Sequence, residues 1–209
     1  MLARRSALAL LTLAFLGLAA LPAHATVMVE IPMEQLIGDA EVIVHATVLR
    51  TGTQLETFDG HLEPHTIAEL AVLDVLKGGP VQRITIDEIG GTTADGSGSW
   101  VDGTPRYRDG EEVVVFLRRL PSGAFRTVGM EQGRFDVIRE VDVQAHVART
   151  LVERDTSTIA FAAWVDGEMQ VRDGGRSPAV DYDSFVGFVA SVLEQLAVPS
   201  DPSSTGGGR

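Results

Sequence analysis

The chain has 209 residues, 44% of them hydrophobic and 22% charged, with 22 Gly, 9 Pro and no Cys. That composition describes a folded chain of one domain, or one domain with an extension, and excludes the disordered and collagen-like classes. With 17 Lys and Arg against 29 Asp and Glu, the net charge is -12, which excludes nucleic acid as a partner because phosphate binding needs a basic face. The absence of Cys excludes a disulfide scaffold, a Cys nucleophile and a thiolate metal site.

Arg4 and Arg5 form a positive start, Ala7 to Leu21 is an uncharged apolar run, Pro22 breaks it, and Ala23-His24-Ala25 is a small-x-small cleavage site. This is the pattern of a secretory signal peptide over residues 1–25, cut after Ala25. The run is shorter than the about 20 apolar residues that a membrane span needs, and it ends at a proline. Arg4-Arg5 alone carries the alternative of twin-arginine export. The expectation is a secreted or periplasmic chain with no membrane contact after cleavage. Loss of the two arginines makes the mature chain more acidic still.

In the body, Pro32 to Gly38 predicts a short helix, with Pro at its first turn and Gly at its exit. Val42, Val44, Ala46 and Val48 share one face of a strand over Glu41 to Arg50, with His45 and Thr47 on the other. Thr51 to Pro64 is polar and irregular and reads as a loop or hairpin tip. A strand over Thr66 to Leu76 places Leu70 and Val72 on one face, and a shift of pattern toward Val75 predicts a bulge near Leu73-Asp74. After the turn Lys77-Gly78-Gly79-Pro80 comes a strand over Val81 to Asp87, then a glycine-rich loop from Gly90 to Gly103. Val113 to Leu117 is continuously apolar and suits a central strand covered on both faces. Phe125 to Met130, Phe135 to Ile138 and Val143 to Val147 predict further strands. Short strands separated by turn signals argue for a β-barrel or sandwich.

The C-terminal part reads differently. Ile159 to Val165 and Met169 to Val171 flank Asp166-Gly167, a hairpin signal. Asp181 caps an amphipathic helix whose apolar face is Phe185, Phe188, Val189, Val192, Leu193 and Leu196. Residues 199–209 lack apolar side chains other than proline and predict a disordered tail. The expected organisation is a signal peptide at 1–25, a β-barrel domain at 26–150, a hairpin and helix packed on it at 151–198, and the tail.

Three segments carry a resemblance. Ala40 to Val48 resembles the "AD-x-V-V-x-G-x-V" opening of secreted OB-fold domains, Val75 to Gly78 their "V-x-K-G" strand end, and Gly110 to Leu117 their "GE-x-Y-L-V-F" strand. This order is similar to that of netrin-like domains, which include the tissue inhibitors of metalloproteinases. A group of uncharacterised secreted bacterial proteins is closer. They share "VLKG" (Val75 to Gly78), a Gly pair (Gly90-Gly91), "G-x-P-x-[FY]-x-x-GEEVV-x-FL" (Gly103 to Leu117) and "G-x-x-QG-x-F" (Gly129 to Phe135), covering about residues 30 to 150. The resemblance implies an OB-like, netrin-like barrel in a mainly β fold. It does not bring the inhibitors' mechanism, which needs an N-terminal Cys to chelate zinc, since the mature chain would begin at Thr26.

The chain has no HExxH, no GxSxG and no P-loop, and its single lysine, Lys77, precedes a glycine. His61 and His65, four apart around Glu63, are candidate metal ligands, opposed by Pro64, which argues against a helix there. Asp95 and Asp102 sit in the acidic glycine-rich loop, where hard oxygen ligands for calcium are conceivable without EF-hand spacing. Trp100 and Tyr107 beside them are candidate aromatic anchors for a partner, or barrel-end packing. The leading expectation is a non-enzymatic module that recognises a secreted or periplasmic protein, a protease among the options, through barrel-rim loops. The alternatives are a metal-dependent hydrolase or calcium-dependent surface protein, and a carbohydrate-binding OB-fold. No cofactor is expected, and calcium or zinc has no specific motif.

Overall fold

The computed structural model of the protein describes residues 26–142 and 147–198. The expected signal peptide, the greater part of the strand expected at Val143 to Val147, and the expected tail fall outside these. In chain order the elements are β1 (Val27–Val29), α1 (Met33–Asp39), β2 (Val42–Phe58), β3 (His61–Lys77), β4 (Arg83–Thr92), β5 (Gly98–Trp100), β6 (Glu112–Arg119) and β7 (Phe125–Thr127). After a 3-10 turn at Met130–Gly133 come β8 (Arg134–Asp142), β9 (Val147–Glu153), β10 (Ala160–Val165), β11 (Glu168–Asp173), β12 (Val180–Asp181) and α2 (Tyr182–Ala197).

Five strands close a ring. β2 pairs with β3 and β6, β3 with β4, and β7 bridges β6 to β4. All contacts in the ring are antiparallel except the closing one, a parallel bridge between Ile86 and Phe125. Alternation directs Val42, Val44, Ala46 and Val48 of β2 into the barrel, where they meet Leu70, Ile84, Ile86, Val113, Val115 and Leu117. Closing so small a ring requires bent strands. β3 carries one extra residue opposite β2 at Leu73 and another at Leu76, and β2 carries one at Leu49. The bulge predicted near Leu73-Asp74 is therefore present, and Val75 packs against the barrel core.

The other faces of β2 and β6 form a second core. Ile43, Val114 and Phe116 pack against Leu36 and Ile37 of α1 and against Phe185, Val189 and Val192 of α2. Phe116 meets Phe135 at 5.4 Å between ring centroids and Phe185 at 6.4 Å edge-on. The continuous run Val113 to Leu117 is thus covered on both sides, as its composition predicts. Lys77 closes one end of α1 by donating its Nζ to the carbonyls of Ile37 (2.7 Å) and Gly38 (3.1 Å), which the last helical turn leaves open. Asp181 caps α2 by accepting from the backbone N–H of Asp183 and Ser184.

One expected loop is a ladder instead, and of the two readings of Thr51 to Pro64, loop or hairpin tip, the hairpin is the one found. Thr51 to Pro64 pairs across its whole length as an arm of the β2–β3 hairpin, from Thr51↔Ala68 to Phe58↔His61, and turns at Asp59-Gly60. Both turn residues have positive φ (47° and 79°), the geometry that a two-residue hairpin turn needs. Polarity here reflects exposure on both faces of a projecting ribbon rather than lack of pairing. The stretch Gly90 to Gly103 also folds back, with β4 and β5 paired at Gly90↔Trp100, Gly91↔Ser99 and Thr92↔Gly98. Gly90 has φ 100°, and a Cβ there would lie 2.9 Å from the Ser99 carbonyl oxygen. Gly133 is required for a different reason than positive φ. Its Cβ would lie 2.1 Å from the Val128 carbonyl oxygen.

β8, β9 and β12 extend the barrel sheet beyond β6, and residue 150 lies within β9. β10 and β11 turn at Asp166-Gly167 and form a separate three-stranded sheet with β1, which joins β10 in parallel. Among the described residues no helix is long and apolar enough to cross a membrane.

Candidate functional site

The structure separates the residues that the sequence grouped. His61 is exposed at the arm's tip, whereas His65 is 8% exposed near the barrel. Four residues of extended strand span roughly 13 Å, so these two histidines share a face but not an ion. Trp100 is half-exposed on β5, with the Arg106 guanidinium 4.7 Å above its ring. Tyr107 is buried in the barrel core, and its hydroxyl shares a 2.6 Å hydrogen bond with Thr127 Oγ1. Burial pushes the Tyr107 phenol well above its ordinary value. Tyr107 therefore packs the barrel and offers nothing to a partner.

Asp95 accepts from the Ser97 hydroxyl (2.6 Å), the Thr93 hydroxyl (2.5 Å) and the Ser97 backbone N–H (3.1 Å). These bonds, the Ser97 hydroxyl first, hold its carboxyl down to about 2. One oxygen accepts all three, which accounts for Asp95 as the organiser of its own turn. Asp102 is exposed in the next turn, away from Asp95's hydrogen-bonded loop.

His65 has a different set of neighbours. Its Nδ1 donates to Asp87 Oδ1 at 2.6 Å, and Glu56 Oε2 lies 3.7 Å from the same nitrogen. Glu56, His65 and Asp87 bring three donor atoms within 4.8 Å of one another. Two observations set this cluster apart from a zinc site. Ligands on a tetrahedral zinc at about 2.0 Å stand roughly 3.3 Å apart, and the His65–Asp87 separation is that of a hydrogen bond. Arg126 also reaches Asp87, donating from Nε to its carbonyl oxygen at 2.9 Å and placing Nη2 3.5 Å from its carboxylate. A guanidinium already balances the carboxylate that a cation would use.

Next to Asp87 in sequence, on the inner face, Glu88 is 3% exposed and accepts from the Thr127 backbone N–H at 2.8 Å. Burial pushes its carboxyl up to about 7 against the opposing pull of the Thr127 bonds. On the outer face of β2, His45 Nε2 donates to Glu112 Oε1 at 2.7 Å, Arg139 Nε donates to Glu112 Oε2 at 2.9 Å, and the His45 ring lies 4.8 Å from that of Tyr182. His45 is thus a hydrogen-bonded structural residue.

An exposed apolar surface lies elsewhere, on the sheet of β1, β10 and β11. Cross-strand partners share a face, so the registers Val29↔Ala162, Ala162↔Val171 and Trp164↔Met169 put these residues on one side together with Val27. The opposite side turns Phe161 inward, buried, with Arg172 stacked on its ring at 4.9 Å. On the open side Trp164 is 73% exposed, Val29 74% and Met169 60%, with Val27 and Val171 above half. Single exposed apolar residues need no explanation, but a contiguous set on ordered strands does. The alternation Ala162, Trp164 and Met169, Val171 about Asp166-Gly167 signals this face in the sequence. What the sequence lacks is which side of the hairpin the rest of the chain covers.

Comparison of the sequence with protein-family models and with curated proteins finds no match.

Proposed function

We propose that this chain is an exported, non-enzymatic binding module on an OB-type barrel, and that it recognises a protein partner through the open face of the β1–β10–β11 sheet. The OB reading draws on the five-stranded ring, antiparallel except at the one parallel bridge between β4 and β7 that closes it, a Greek-key arrangement of the kind OB-folds adopt. The observation that carries the binding reading is the apolar face of Val27, Val29, Trp164, Met169 and Val171. A protein of this composition gains nothing from leaving such a face in water, where each side chain forgoes burial worth on the order of 1 kcal/mol or more.

The occupant is a different protein, with an apolar patch ringed by neutral or basic groups. Each copy of this chain carries a net charge of -12, which opposes self-association. A standard interface takes roughly 20–30 residues a side, more than the five apolar side chains of this face. The partner therefore also contacts the polar rim, where Glu168 and the Arg172–Glu30 ion pair stand. The acidic net charge then selects a basic partner.

The test is capture from the exported fraction, followed by reconstitution with the purified captured protein. Trp164→Ser combined with Met169→Ser should weaken the reconstituted complex at least tenfold, with the circular dichroism spectrum unchanged. Trp100→Ala should leave it intact. Equal binding by the double variant contradicts the reading. So does a concentration-dependent dimer of the chain alone that the double variant abolishes.

A further inference from the structure

A second apolar surface is concave, and it is made by other residues. Between α2 and the β8–β9–β12 part of the sheet runs a groove of about 440 Å³, lined by Met33, Phe135, Val152, Val180, Phe185 and Phe188 among others. This volume falls within the range of small-molecule sites. Phe188 belongs to the apolar face of α2 yet remains 40% exposed, because it borders the groove rather than filling the core.

One charged side chain contributes to the wall. Arg154 is half-buried, and its guanidinium lies 5.7 Å from the centroid of the Phe135 ring. Among the described residues the guanidinium makes no hydrogen bond and no ion pair. Its backbone is held instead, with the N–H donating to the Ser177 hydroxyl at 2.9 Å and the carbonyl accepting from the Ser177 N–H at 2.8 Å. The acid that acts on it is Glu30, which makes no ion pair with it and is already paired with Arg172. Partial burial lowers the Arg154 pKa from its ordinary value, and Glu30 offsets part of that. Buried cations are normally paired. Arg154, half-buried and without an ion pair among the described residues, stands beside an apolar groove in an otherwise acidic protein.

We propose that this groove binds an aliphatic carboxylate, a medium-chain fatty acid, with the carboxylate on the Arg154 guanidinium and the chain along Phe185, Phe188 and Val180. A planar guanidinium offers a carboxylate two parallel N–H donors, and desolvation strengthens both. The apolar walls supply the remaining affinity in proportion to the methylenes they cover. The proposal is independent of the protein-binding reading, because none of the residues of the β1–β10–β11 face lines the groove.

Titration calorimetry of the mature chain with dodecanoate below its micelle concentration tests it, with 1-dodecanol and acetate as separate arms. Dodecanoate should bind with a dissociation constant in the micromolar range, dodecanol at least tenfold more weakly, and acetate not detectably. Arg154→Gln should erase the difference between dodecanoate and dodecanol. Phe188→Ser, at an exposed position that folding tolerates, should weaken both. The proposal is overturned if dodecanoate does not bind, if Arg154→Gln binds it as tightly as the parent, or if Phe188→Ser leaves both affinities unchanged. It is likewise overturned if binding occurs but the amide shifts it causes in nuclear magnetic resonance spectra avoid α2 and β9.

Discussion

Glu88 is the residue whose chemistry reaches furthest beyond its own position. Its carboxyl sits inside the barrel, where burial raises its pKa to about 7 from an ordinary value of 4.5. A raised acid pKa means that the folded state holds the proton more tightly than the unfolded chain does. The resulting stabilisation is complete below about pH 4.5, declines as pH rises, and is gone above about 7. The shift corresponds to on the order of 3 kcal/mol. Denaturant melts of the parent should therefore show stability falling across pH 4.5 to 7 by about that much beyond any background trend. Glu88→Gln should remove that part of the slope, since an amide stays neutral. A parent and variant with parallel pH profiles would show that Glu88 titrates normally.

The elements owe their places to a few side chains that face two ways. β6 sends Val113, Val115 and Leu117 into the barrel and Val114 and Phe116 into the second core. Phe116 is fully buried between Phe135 and Phe185. Phe116→Ala should destabilise the fold by about 3–5 kcal/mol in equilibrium unfolding, the usual cost of removing a buried aromatic ring. A loss under 1 kcal/mol would mean that this ring does not anchor the second core. At α2, Asp181 accepts two backbone N–H groups, so Asp181→Ala should cost about 1 kcal/mol by the same measurement.

Much of this level was legible beforehand. The period-two valines of β2, the run at Val113 to Leu117, the Asp166-Gly167 turn and the Asp181 cap each encode their element locally. What was not legible depended on the partner of each strand. The polar residues of Thr51 to Pro64 left loop and hairpin tip undivided, because a ribbon exposed on both faces loses its alternation. The glycines at 90–91 and 98 read as loop glycines, although two of them permit strand contact. Gly90 adopts a positive φ, and a Cβ at Gly98 would lie 2.5 Å from the Gly91 carbonyl oxygen. Tyr107 and Trp100 look alike in sequence, but only the fold decides that one enters the barrel and the other stays outside. Arg154 gives no local signal, because its isolation comes from α2 and β9 meeting around it.

At the scale of the whole molecule, the closed ring leaves two kinds of surface. One is convex and satisfied: the His45–Glu112–Arg139 and His65–Asp87–Arg126 networks tie charges together on the barrel's outside. The other is apolar and open, on the small sheet and in the groove beside α2. The proposed recognition rests first on these apolar faces, with the net acidity biasing the choice of partner. Pairing of β1 parallel to β10, in a sheet separate from the barrel's, lets Val27 and Val29 complete the face begun by Trp164 and Met169.

Hydrogen–deuterium exchange on the mature chain, with and without its purified captured partner, tests this assignment of the contact surface most directly. Slowed exchange at the amides of residues 27–29 and 160–173, with the Gly90 to Tyr107 region unchanged, is the predicted result. Protection confined to residues 90–107, with β10 and β11 exchanging as freely in the complex as alone, would contradict it.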